Sequence, residues 1–205
     1  MIVIVDYSMG NLGSIRNMLK RIGYESVISS DIPDIMNAAK LILPGVGAFD
    51  NGMKSLIERE LVPALSEKVI EGKTPFLGIC LGMQLLTERS EEGNSPGLGW
   101  IKGKTVRFDF GGPNVKLKVP HMGWNTVSPS KPSCLYADMY DDPRFYFVHS
   151  FHVACRDEGD ILTRTHYGID FASSVERDNI RGVQFHPEKS HKFGMRLLKN
   201  FAERA

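Results

Sequence analysis

Cysteine is scarce in this 205-residue chain, where Cys80, Cys134 and Cys155 are the only three. An odd, widely spaced set excludes a disulfide framework, and the lack of a C-x-x-C pair removes zinc ribbons and redox dithiols. Charge of one sign is also missing: Lys and Arg number 25 against 24 Asp and Glu, a net charge of +1. No concentrated basic field is therefore available for nucleic acid or a membrane surface. No apolar run approaches the ~20 residues of a membrane span. Met1–Asp6 has neither the basic start nor the cleavage site of an export signal. What these absences leave is a soluble globular chain in a reducing cytoplasm, with a single domain over residues 1–205 expected from its length.

The pattern along the first ~90 residues alternates short apolar runs with helical spacing. Ile2 to Val5 is a run of four β-branched residues and reads as a buried strand. Leu12, Ile15, Leu19 and Ile22 follow at helical spacing, closed by Gly23. Ser26 to Ser29, Leu41 to Leu43 and Phe76 to Ile79 read as further strands. Met53 to Glu58, Leu61 to Glu71 and Leu81 to Thr87 read as helical. This order predicts an α/β fold with a mixed, mostly parallel sheet flanked by helices. After Gly93 the texture turns glycine-rich. Thr105 to Phe108 and Val115 to Val119 read as antiparallel strands and hairpins at one sheet edge, and Phe145 to Val148, Phe151 to Ala154, Ile161 to Thr165 and Phe171 to Val175 as further strands. Ile180 to Phe185 precedes a closing helix from about Lys192 to Ala202.

Chemistry concentrates at Gly78-Ile79-Cys80-Leu81-Gly82, a G-x-S-x-G nucleophile elbow with cysteine for serine, set between a strand and a helix. A strand-to-helix turn this sharp crowds the backbone, so both flanking positions want glycine. The sulfur then sits by a helix N-terminus, which favours thiolate. Taken alone, the segment is equally a structural cysteine in a glycine-rich turn. Gln184-Phe185-His186-Pro187-Glu188 adds the proton shuttle and orienting acid that such a nucleophile needs. In an extended chain, His186 and Glu188 share a face. Leu43-Pro44-Gly45-Val46-Gly47-Ala48-Phe49 follows a strand that should end beside the elbow. There the N–H groups of Val46 or Gly47, with that of Leu81, would form an oxyanion hole. A phosphate loop would want G-x-G-x-x-G or a following Gly-Lys, and both are absent; on spacing alone the segment also reads as a plain turn.

Other candidates carry less. His149 and His152 are three apart and on a strand would face opposite sides, so no metal pair is expected. His166, His191, Cys134 and Cys155 have no evident partners. Glu91-Glu92 reads as a solvated helix end. Trp124, in the turn-rich stretch Pro120-His121-Met122-Gly123-Trp124-Asn125, is either core or an exposed partner contact.

The elbow with Met83 and Gln84, together with Gly182-Val183-Gln184-Phe185-His186-Pro187-Glu188, resembles the class I, triad-type glutamine amidotransferases. Leu43 to Phe49, Pro120 to Asn125 and His186-Pro187-Glu188-Lys189-Ser190 narrow the resemblance to the glutaminase subunits of imidazole glycerol phosphate synthases. It runs from Asp6-Tyr7 and Gly10-Asn11 to the last helix. The resemblance implies hydrolysis of glutamine and transfer of ammonia to a (β/α)₈-barrel cyclase in histidine biosynthesis, without a cofactor. It implies Cys80 as nucleophile, His186 as acid and base, and Glu188 as orienter. Gly47, Gln84 and the backbone at Ser150 and Phe151 would bind glutamine. Asn11, Met122, Trp124 and Lys189 would face the barrel. Members often carry tyrosine where Phe151 stands, which weakens the assignment there. Three rivals differ in kind. A paralogous subunit would feed a surface-sugar amidotransferase, a stand-alone cysteine hydrolase would need no partner, and a flavodoxin-like binding module would leave the cysteine idle.

Overall fold

In β1 (Ile2–Val5) the side chains alternate between two cores, Ile2 and Ile4 to one face, Val3 and Val5 to the other. That double burial explains an unbroken apolar strand. The computed structural model describes residues 1–111 and 117–205. Parallel to β1 lie β2 (Ser26–Ser29) and β3 (Lys40–Gly45), then β4 (Phe76–Cys80) beside β3. Three helices cover the face of Val3 and Val5: α2 (Ile32–Met36), α3 (Phe49–Glu58) and α4 (Leu61–Ser66). The other face is covered by α1 (Leu12–Arg21) and the last helix, His191–Arg204, through Ile15, Leu19, Phe193, Leu197 and Phe201.

Past β4 the chain makes a single helical turn, α5 (Leu81–Gln84), shorter than the Leu81-to-Thr87 helix expected. Leu86 and Thr87 bond three residues back, and the Thr87 hydroxyl takes the Gln84 carbonyl at 2.9 Å, which ends the helix. The other expected helix, Leu61 to Glu71, is α4 continued by a π-helical turn at Glu67–Glu71.

Further strands complete a mixed sheet: β5 (Arg89–Ser90), β6 (Gly103–Arg107), β8 (Ser128–Pro129), β10 (Phe151–Cys155), β11 (Ile161–Tyr167), β12 (Ile169–Arg177) and β13 (Ile180–Val183). Its order is β2-β1-β3-β4-β13-β12-β10-β6-β5, with β11 beside β12 and β8 beside β11. The closing helix, α6, is longer at both ends than expected.

The strand expected at Phe145 to Val148 is β9 (Arg144–His149), which pairs with β7 (His121–Thr126) in a separate two-stranded ribbon. Gly123, read as part of a turn-rich stretch, sits inside β7 at φ +131°, so the glycine accommodates the strand instead of breaking it. The strand expected at Val115 to Val119 lies partly outside the described residues, and its described part, Leu117 to Val119, is not a strand. Among the described residues no helix is long and apolar enough to cross a membrane.

Candidate active site

The parallel strands end on one edge, where α/β sheets bind ligands. Gly45 ends β3, Cys80 ends β4, and Gln184 to His186 follow β13. Cys80 adopts φ 54° and ψ −109°, a strained conformation for a residue with a side chain. Its glycines are sterically required. A Cβ on Gly78 would lie 2.5 Å from the Gly82 carbonyl oxygen, and one on Gly82 would overlap the carbonyl of Leu43. The elbow is therefore wedged between its own first helical turn and β3.

A cavity of about 480 Å³ opens above it, lined by Cys80, Leu81, His186, Val46 and Gly47. Gln84, Ser150 and Phe151 also line it. His186 and Glu188 meet through Nδ1 and Oε1 at 2.8 Å. The route differs from the extended chain expected, because Pro187–Lys189 is a turn of 3₁₀ helix. Burial pulls the His186 imidazole towards its neutral form. The Cys80 sulfur and the Glu188 carboxylate together outweigh that and hold its pKa above the ordinary value. His186 Nε2 is buried and has no hydrogen-bond partner among the described residues. Gln184 donates from Nε2 to Cys80 Sγ at 3.8 Å.

At the neighbouring loop, Gly47 has φ +106° and Val46 is exposed. Gly45, opposite Cys80 in the β3–β4 register, packs against the buried hydroxyl of Tyr7, which has no hydrogen-bond partner among the described residues. Burial and the nearby Cys80 both push that hydroxyl's pKa upward.

Gln84 is buried, and its Nε2 lies 3.1 Å from both the Phe151 carbonyl and Gln184 Oε1. The Phe151 carbonyl accepts a second hydrogen bond from His149 Nδ1 at 2.7 Å, while the Ser150 carbonyl accepts from Phe108 N–H at 3.1 Å. The Phe151 ring carries the Arg107 guanidinium 5.8 Å from its centroid.

Four residues expected at a partner surface are partly gathered. Met122 and Trp124 project from one face of β7, 61% and 46% exposed. Trp124 stacks on His191 at 5.5 Å and meets Tyr146 edge-on at 6.4 Å; Lys189 Nζ lies 5.7 Å over the Tyr146 ring. Asn11 instead caps α1, accepting from Ser14 N–H at 3.4 Å, and the helix it caps packs on Pro187–Lys189.

Several sequence readings fail here. Glu91 and Glu92 do not end a helix: Glu91 binds Lys104 at 3.0 Å, and Glu92 Oε2 accepts from Phe49 N–H at 2.8 Å. Glu92 thus ties the start of α3 to the cavity it also lines. His166 has a partner after all, Asp170 at 2.7 Å. His149 and His152 are not on one strand, because Ser150 separates β9 from β10. Both are buried, and no metal-holding cluster of His, Cys, Asp and Glu occurs among the described residues. Glu92 and His149 were missed as cavity residues, since only tertiary packing brings them there.

The Glutamine amidotransferase class-I family model matches residues 3–205. The imidazole glycerol phosphate synthase subunit HisH 2 of Methanococcus maripaludis is 54% identical over 205 residues, covering 100% of both chains. That of Pseudomonas aeruginosa is 52% identical over 99% of each. The HisH subunit of Sulfurimonas denitrificans is 50% identical over 99% of this chain and 98% of its own. A crystal structure of a glutamine amidotransferase superimposes with TM-score 0.74 over 99% of this chain and 98% of its own, at 22% identity, a likeness of fold alone. Sheet, elbow and full-length similarity agree: the chain belongs to the class-I glutamine amidotransferase family, among its imidazole glycerol phosphate synthase HisH subunits.

Proposed function

We propose that this chain hydrolyses glutamine to glutamate and ammonia and passes the ammonia to a (β/α)₈-barrel cyclase in the cytoplasm, for imidazole glycerol phosphate synthesis. The observation that carries the reading is His186. One ring nitrogen is held by Glu188 at 2.8 Å, the other is buried with no hydrogen-bond partner among the described residues, and Cys80 raises its proton affinity within one cavity.

In this reading the Cys80 thiolate attacks the side-chain amide carbon of glutamine, and the carbonyl oxygen becomes an oxyanion. N–H groups of Leu81 and of Val46 or Gly47 receive that charge. Collapse breaks the C–N bond while His186 Nε2 gives its proton to the leaving nitrogen, releasing ammonia and leaving a thioester on Cys80. Water then attacks the thioester as His186 takes a proton, and glutamate departs. Glu188 keeps the proton on Nδ1 and stabilises the imidazolium throughout. Gly47, Gln84 and the backbone at Ser150 and Phe151 hold the substrate. Asn11, Met122, Trp124 and Lys189 face the partner.

The test is glutamate release by the full chain with and without the barrel subunit. Cys80→Ala is expected to abolish it, and synthesis by the same complex supplied with free ammonia is expected to survive. Loss of both activities in a folded complex overturns the assignment of Cys80. Glutamine hydrolysis that ignores the barrel favours a stand-alone hydrolase.

A further inference from the structure

Two histidines outside the proposed triad are buried in an aromatic cluster. His121 is stacked between Phe147, 4.8 Å away, and Tyr167, 4.1 Å away; His149 lies 5.1 Å from Phe108 and 5.2 Å from Phe171. Phenylalanine would fill such space without the cost of desolvating ring nitrogens. The imidazoles are explained by what they bond. His121 Nδ1 and His149 Nε2 lie 2.9 Å apart, and a hydrogen bond there needs one donor and one acceptor.

Both ends of the pair fix which is which. The Phe151 carbonyl can only accept, so the 2.7 Å contact requires the proton on His149 Nδ1. A neutral His149 then has only a lone pair at Nε2, and His121 must donate from Nδ1. At the other end the Asn125 amide is oriented by two bonds: Oδ1 accepts from Thr126 N–H at 2.9 Å, and Nδ2 donates to the His166 carbonyl at 2.9 Å. Nδ2 therefore also donates to His121 Nε2, at 3.3 Å. The two assignments, made independently, agree. Burial supports them, pushing His121 down to about 4 and His149, with the charges of neighbouring histidines adding, down to about 3.

The chain of bonds continues into the cavity. The carbonyl held by His149 also holds Gln84 Nε2, which reaches Gln184, and Gln184 reaches Cys80. At the far end, β7 carries His121 and Asn125 on one face and the exposed Met122 and Trp124 on the other. We propose that Asn125, His121 and His149 form a neutral, single-tautomer relay that positions the Phe151 carbonyl and Gln84 in the glutamine pocket. The relay ties that pocket to the strand bearing Met122 and Trp124. His121 and His149 are then positioning residues for the proposed glutaminase site, on which this inference rests.

Two measurements on the full chain test it. Imidazole ¹⁵N–¹H spectra at neutral pH should show both rings as neutral Nδ1–H tautomers; an Nε2–H or protonated form of either overturns the relay. In glutamine hydrolysis, His149→Leu should raise KM about tenfold, the worth of one well-placed hydrogen bond, with kcat changed much less. His149→Asn, which keeps a donor near the Nδ1 position, should recover most of the loss. His121→Leu should raise KM less, and adding it to His149→Leu should change nothing further, because the two act in series. Equal effects of Leu and Asn at residue 149, or independent multiplying effects at 121 and 149, would leave a packing role only and sink the proposal. Should His149→Leu fail to fold, His149→Asn and His121→Asn carry the same comparison. A wild-type chain inert towards glutamine under all conditions defeats the functional reading, while the spectra still judge the relay.

Discussion

Cys80 and Gly45 occupy one rung of the sheet, opposite each other in the parallel register of β4 and β3. The proposed nucleophile and the start of the proposed oxyanion loop are thus placed by strand pairing. Neither can move along its strand without breaking the ladder, because a register slip of one residue would turn Leu41 and Leu43 into the core that Ile42 fills and Ile42 into theirs.

That wedge makes Gly82 the most sensitive point of the elbow. Gly82→Ala should destabilise the chain by about 1–3 kcal/mol, since a methyl there meets a backbone carbonyl that cannot swing away. Gly13→Ala, at a helical position with open space, should not. Denaturant midpoints of the two variants make the comparison, and equal midpoints would show that the elbow relaxes freely.

Glu188→Gln keeps the size of the side chain and removes its charge. It should leave the far-ultraviolet spectrum and melting cooperativity intact and slow glutamine turnover by up to ~10⁴, as expected for losing the orienting acid of a triad. Steady-state rates on folded protein decide this, and an unaltered rate takes Glu188 out of the mechanism.

Acid should weaken the fold already between pH 7 and pH 5. His121 and His149 stay neutral in the native protein to about 4 and about 3, whereas the unfolded chain protonates them near pH 6.5. Between those limits the unfolded state binds more protons, so stability rises with pH and falls on acidification. His186, shifted the opposite way, contributes its stability fully below pH 6.5 and loses it only as pH rises above, so it does not cancel this slope. Urea titrations at pH 7 and pH 5 should show the loss, and His149→Asn should shrink it. A flat profile would mean that these rings protonate in place.

Trp124 rests on His191 and Tyr146 at the surface rather than in either core, so Trp124→Ala should hardly alter melting. If its exposed face meets the barrel, the same variant should weaken complex formation and lower glutaminase turnover measured in the presence of the barrel. Titration calorimetry and coupled kinetics read both, and wild-type affinity would move the interface elsewhere.

Much of this molecule was determined locally. The β-branched run of β1 and the helical spacing of Ile15 and Leu19 depend on near neighbours along the chain, and so were legible in sequence. So were the glycines that a sharp elbow at Cys80 demands, and the nearness of Glu188 to His186, two residues on. Local pattern misled where partners are distant. The stretch around Gly123 became a strand only because β9 supplies its hydrogen bonds, and Glu92 found the start of α3 across 43 residues. The relay depends on tertiary structure entirely. A histidine's ring has no tautomer preference strong enough to read from sequence, and only when folding brings His121, His149 and the Phe151 carbonyl together does each nitrogen acquire a defined role.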